Sequence, residues 1–138
     1  MRPAEHSFRD IHIGDEHTFE RTLTEEDTAV FARLTGDYNP LHTDPTYGAV
    51  SPFEKNIVHG MLAGSLFSTL VGMYCPGEKS LYMSQSLNFK KPIFPGDTIT
   101  VQGAVIAKND SIQLITLKTE IIKDGDVMVS GEAKVKML

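Results

Sequence analysis

The segment GMLAGSLFSTLVGMY, residues 60–74, carries no charged side chain, and this constrains the fold more than any other stretch. A helix that is apolar nearly all round has no surface face and must be buried. At 1.5 Å per residue, about four turns fall well short of the ~30 Å of a bilayer core. The rest of the chain therefore has to wrap this helix, and Cys75-Pro76-Gly77 stops it.

The C-terminal half beyond this helix is β-rich. Strands are expected at Ser80–Lys90, Thr98–Ala107, Ser111–Ile122 and Val127–Val135. Alternation is clearest where Leu114, Thr116, Lys118 and Glu120 oppose Ile115, Leu117, Thr119 and Ile121. Pro95-Gly96-Asp97, Asn109-Asp110 and Asp124-Gly125-Asp126 supply turns. Upstream, Ile11–Leu23 has β character. Thr24-Glu25-Glu26-Asp27 reads as a capping box that opens a helix over Glu25–Thr35, with Gly36 as its stop. Two prolines and three Asx residues within Asp37–Pro45 argue against a regular element there. A short helical turn is expected at Thr46–Ala49. With 138 residues, no repeat and no linker-like run, one domain spanning 1–138 is expected. It is of α+β class, with the apolar helix on the concave face of a curved antiparallel sheet of four or five strands.

Composition removes several functions. At 41% hydrophobic and 22% charged residues the chain is not disordered. Net charge is −5 with mixed signs, and the densest basic spot is Lys90-Lys91, so nucleic acid is not an expected partner. No apolar run is long enough for a membrane, and MRPAEHSFRD lacks the apolar stretch of a signal peptide. The single cysteine, Cys75, excludes an internal disulfide and any multi-cysteine metal site, so a cytoplasmic setting is expected. His42, Asp44 and His59 are too few and too loosely spaced to prefer a metal, and none is expected.

Two features carry chemistry. Asp37 and His42 sit five apart on a loop stiffened by Pro40. A carboxylate beside an imidazole can hold and activate one water, and Asn39 offers a donor and an acceptor to fix loop or water. The same residues are also common in purely structural loops. The second feature is Gly60 at the start of the apolar helix. It either caps the helix or lets a carbonyl approach a free N–H, as an oxyanion hole requires.

The loop Thr35-Gly36-Asp37-Tyr38-Asn39-Pro40-Leu41-His42-Thr43-Asp44, followed by Ile57-Val58-His59-Gly60-Met61-Leu62 and Ser65-Leu66-Phe67-Ser68, closely resembles the (R)-specific enoyl-CoA hydratases among the MaoC-like dehydratases. The resemblance continues through Ser84–Phe89 and Pro92–Asp97. It implies a hot-dog fold, a homodimer, and reversible hydration of trans-2-enoyl-CoA to (R)-3-hydroxyacyl-CoA. It further implies Asp37 and His42 as the catalytic pair, with Asp37 the proton acceptor and His42 the donor to C2. The Gly60 N–H would hold the enolate-like oxygen, Asn39 would brace the loop, and Ser68, with Ser65 as second choice, would orient the pair. Coenzyme A belongs to the substrate, and no separate cofactor is expected. Lys90, Lys91 and Arg33 are candidates for its phosphates. Phe67, Leu70, Val71 and Met73 are candidates to line the acyl tunnel, with core packing as the alternative. Fatty-acid or polyhydroxyalkanoate metabolism would be the setting. The rival activities are a dehydratase acting on acyl carrier protein or on a specialised acyl-CoA, a thioesterase, and a non-catalytic acyl-CoA-binding domain. No G-x-S-x-G elbow is present for a serine-nucleophile thioesterase.

Overall fold

A computed structural model describes all residues, Met1–Leu138. One mixed-length antiparallel sheet wraps the apolar helix. Its strands are β1 (Glu16–Thr22), β2 (Ser80–Gln85), β3 (Asn88–Phe89), β4 (Thr98–Asn109), β5 (Leu114–Lys123) and β6 (Asp126–Met137). Their order is β1-β4-β5-β6-β2, with β3 also on β6. The β5–β6 hairpin closes through Asp124-Gly125, both at positive φ, as a two-residue turn matched to strand twist requires. The expected alternation holds in β5: Ile115, Leu117, Thr119 and Ile121 all face the core.

The helices are α1 (Glu25–Thr35), α2 (Pro40–Thr43), α3 (Pro45–Val50) and α4 (Gly60–Thr69), and α4 runs on as a π-helical turn over Leu70–Tyr74. The α1 capping box is formed: Asp27 N–H donates to Thr24 Oγ1 at 3.1 Å, and Thr24 N–H donates to Asp27 Oδ2 at 2.9 Å. Leu66, Phe67 and Leu70 pack with Ile99, Val101, Ile121 and Val129 in one cluster. Val71 and Cys75 pack with Ile11, Val105, Leu117 and Val135 in a second. Strand β4 can lie this close because Gly103 has no side chain: a Cβ there would come within 2.6 Å of Leu70 Cδ2.

Four expectations need correction. The loop Asp37–Pro45 contains a regular element after all, the one-turn α2. Pro40 occupies its first position, where the missing N–H would have no partner anyway, and Asn39 Oδ1 caps it by accepting from Leu41 N–H at 3.0 Å. The expected strand Ser80–Lys90 is two strands. Between them Leu87 leaves the ladder to pack against the core beside Gly64, and Ser86 binds Glu132 through both its N–H and its Oγ. The apolar helix is not buried all round, since Met61, Ser65 and Ser68 are exposed. Finally, its last turn is π rather than α. The residues before Ile11, which match no recognisable pattern, satisfy carbonyls there: Ala4 N–H donates to Met73 O at 2.9 Å and His6 Nε2 to Tyr74 O at 3.1 Å.

Candidate active site

The loop after α1 is built from local hydrogen bonds. Asp37 N–H donates to Thr35 Oγ1, and Asp37 Oδ1 accepts from Asn39 N–H at 3.1 Å. Asn39 then caps α2, which carries His42 in its last turn. Asn56 ties this turn down from a distance. Its Nδ2 donates to the carbonyls of Pro40 (3.1 Å), Leu41 (2.9 Å) and Asp44 (2.9 Å). Nothing in the sequence distinguishes Asn56 except its place just before Ile57-Val58-His59-Gly60.

His42 is half-buried, and its Nδ1 lies 2.8 Å from Ile57 O. A carbonyl only accepts, so Nδ1 carries the proton and Nε2 of the neutral ring presents a bare lone pair. The Asp37 carboxylate is about half exposed. One carboxylate oxygen of Asp37 and one ring nitrogen from each of His42 and His59 all lie within 4.8 Å of one another. Asp37 and His42 share no direct hydrogen bond, and a span of this size is what one water bridges. The pair is thus brought together in the form proton handling needs.

The same three residues are the group best placed to hold a metal, with Asp37 in place of Asp44, whose carboxylate instead caps α3. The rings work against it. His42 and His59 stack face to face at 4.0 Å and 28°, so their in-plane lone pairs run side by side rather than converging. His59 Nε2 also faces a carbonyl oxygen, that of Asp37, at 3.1 Å.

Gly60 is the first residue of α4, so its N–H has no acceptor within the helix; His59 O takes the N–H groups of Leu62 and Ala63. A cleft of about 470 Å³ opens beside it, lined by Phe53, Ile57, Met61, Phe89 and Ile93, with Lys90 and Lys91 at its rim. His42 faces a different, smaller and more polar cleft of about 170 Å³ beside Asn56 and Pro95. His59 lines neither cleft, but it is next to Gly60 in sequence and stacked on His42.

Other expected residues lie elsewhere. Ser68 is exposed and makes no hydrogen bond with Asp37 or His42; nine residues after His59 is two and a half turns, the opposite side of the helix. Ser65 donates to Leu62 O at 2.6 Å instead. Val71 is 1% exposed within the second core cluster and lines neither cleft, and Phe67 and Leu70 are likewise core. Lys91 pairs with Asp126 at 3.0 Å.

The MaoC like domain model matches residues 11–126. The chain belongs to the MaoC-like family. This MaoC-like chain is 42% identical over 132 residues to an (R)-specific enoyl-CoA hydratase of Aeromonas caviae, covering 95% of this chain and 98% of that protein. It is 35% identical over 130 residues to the enzyme of the same name from Rhodospirillum rubrum, covering 94% and 90%. Among solved structures, the A. caviae (R)-hydratase involved in PHA biosynthesis superposes with a TM-score of 0.91 at 41% identity, covering 94% of this chain and 99% of that one. The fold is accordingly the hot-dog fold that the sequence resemblance implied.

Proposed function

We infer that this MaoC-like protein is a hydro-lyase that adds water reversibly to trans-2-enoyl-CoA to give (R)-3-hydroxyacyl-CoA. The observation that carries the reading is the Asp37–His42 pair, held by separate hydrogen bonds at a water-bridging span, in a chain 42% identical to a named (R)-specific enoyl-CoA hydratase. The thioester makes C3 electrophilic. Asp37 takes one proton from the bridging water as its oxygen bonds to C3, and the electron pair moves through C2 to the carbonyl oxygen. The N–H of Gly60, at the positive end of α4, stabilises that oxygen. His42 enters this step as the imidazolium, with a proton on Nε2 besides the Nδ1–H held by Ile57 O. It delivers the Nε2 proton to C2 and is left as the neutral Nδ1–H ring, and the proton on Asp37 returns to Nε2 through the next water. Asn39 acts through the loop, as the cap that seats His42. The apolar cleft beside Gly60 takes the acyl thioester, with Lys90 and Lys91 at its rim toward the CoA phosphates.

A homodimer fits the sheet edges. Edge strand β1 is polar (EHTFERT), which discourages further pairing. At the other edge Leu81, Met83 and Phe89 stand 46–58% exposed, and a second copy would cover them. No helix is long and apolar enough to cross a membrane; with its one cysteine buried and free, the chain suits a reducing cytoplasm.

The test follows loss of enoyl absorbance with crotonyl-CoA and longer enoyl-CoAs, with chiral analysis of the product. Wild type should yield the (R)-3-hydroxy product, with Asp37→Asn and His42→Ala each about a hundredfold or more slower. Turnover confined to carrier-protein thioesters would reassign the carrier, and no turnover on either would refute the reading.

A further inference from the structure

His59 is absorbed by neither half of this mechanism, yet it touches both. Its ring is 2% exposed, between Phe31 (centroids 4.9 Å apart) and His42 (4.0 Å). Nε2 lies 3.1 Å from the main-chain oxygen of Asp37 and 3.9 Å from its Oδ2. Nδ1 is buried with no hydrogen-bond partner. The carbonyl oxygen fixes the tautomer: Nε2 carries the hydrogen, and the orphan Nδ1 is a bare lone pair. A histidine kept only to fill the core would leave no polar atom unmatched, because leucine packs the same space without one. The cost of the buried lone pair is offset by directing Nε2–H at the residue that precedes the α2 turn.

We propose that His59 is a positioning residue that sets the distance and angle between the Asp37–His42 pair and the Gly60 amide. Its backbone is the N-cap of α4, with its carbonyl accepting the N–H groups of Leu62 and Ala63 at 3.1 and 3.2 Å, so the residue is locked to the helix whose first amide is Gly60. Its side chain reaches across 22 residues of sequence to hold the Asp37 backbone, while its face supports the His42 ring. General base and oxyanion donor thus share one rigid connector. Catalysis depends on that mutual geometry far more than initial binding does, because the amide acts on charge that develops only in the transition state. The role rests on the hydratase reading.

The experiment compares His59→Gln, His59→Asn and His59→Leu. A glutamine amide nitrogen reaches the Nε2 position and can donate to Asp37 O; an asparagine nitrogen reaches only the Nδ1 position, and leucine donates nothing. Expected are kcat values about tenfold or more below wild type for Asn and Leu, with KM within about twofold, and substantial recovery in Gln. Thermal melts of all three identify any variant that has lost its fold. Backbone 1H–15N spectra supply a readout that needs no substrate. The Asn39 and Leu41 amides, which donate to Asp37 Oδ1 and Asn39 Oδ1, report the loop that His59 holds at Asp37 O; they should stay at their wild-type shifts in His59→Gln and move in His59→Leu. Folded His59→Leu with wild-type kcat overturns the proposal, as does an equal kcat loss in Gln and Leu. If wild type turns over no enoyl thioester, the hydratase reading falls by itself, and the loop amides then decide His59: unchanged Asn39 and Leu41 resonances in His59→Leu overturn the positioning role, and shifted ones that recover in His59→Gln support it.

Discussion

Replacing Asn56 tests whether the loop and turn that carry Asp37 and His42 are held from outside themselves. Its amide nitrogen faces three carbonyl oxygens, those of Pro40, Leu41 and Asp44. Two hydrogens cannot make three full bonds, so the loss in Asn56→Ala is counted as two. At about 0.5–1.5 kcal/mol net per bond this is about 1–3 kcal/mol. Pro40 and Asp44 are exposed, so water can replace their share, whereas the bond to Leu41 O is partly buried. A value of about 2 kcal/mol results, which for a chain of this size lowers Tm by roughly 8 °C. Asn56→Asp should be worse than Ala, because it turns both donors into acceptors against three oxygens. Urea unfolding at fixed protein concentration gives the stability order, wild type above Ala above Asp. Because α2 carries His42, kcat should fall by about ten- to a hundredfold in Ala. If Ala costs under about 0.5 kcal/mol, or if Asp equals or exceeds Ala in stability, the amide is not what holds the loop.

Gly60→Ala would place a methyl within 2.9 Å of the Phe89 ring, the end of a side chain that can turn aside; turnover should fall about tenfold or more as the amide is shielded, with a cooperative thermal melt retained. The Asp27 carboxyl is held below its ordinary 3.8 chiefly by the hydrogen bond from Thr24 N–H, with Arg21 adding to it. Its contribution to stability is therefore present above about pH 4 and lost as pH falls through the lowered value; acid titration of Asp27→Asn should lack that part of the decline, and a limb identical to wild type would refute it. Burial pushes the Cys75 thiol up to about 11. A thiol reagent at pH 8 should label it only after denaturant is added, and labelling of the folded protein would contradict the burial.

The sequence makes the locally encoded parts readable. The Thr24–Asp27 box, the α1 limits Glu25–Thr35, the Asp124-Gly125 turn and the two faces of β5 each depend on residues within a few positions of one another. Asp37, His42 and Gly60 stood out by residue type and position, and resemblance to the MaoC-like family gave them their expected roles. Residues acting over long separations were illegible. Asn56 is an ordinary polar residue until it is seen to reach back 12 to 16 positions to three carbonyls. In the sequence His59 stands out only as the neighbour of Gly60 and as a weak metal candidate. Ser68 was a candidate for the site through the family resemblance and Val71 as an apolar residue of the same helix, but a helix turns 100° per residue, and its packing places them on the outer face and in the core.

By itself, then, the sequence determined the longer helices and strands, that one apolar helix must be wrapped, and which segment holds an acid and an imidazole. Backbone preferences, capping and side-chain alternation operate between near neighbours, so the order of residues is enough to specify them. Only the tertiary structure decided that Leu87 breaks the edge strand, that Ala4 and His6 close the end of the central helix, and that Asp37, His42 and His59 meet. Those contacts join residues far apart in the chain, and their geometry exists only after the sheet has closed around the helix and brought both ends of each loop to fixed places.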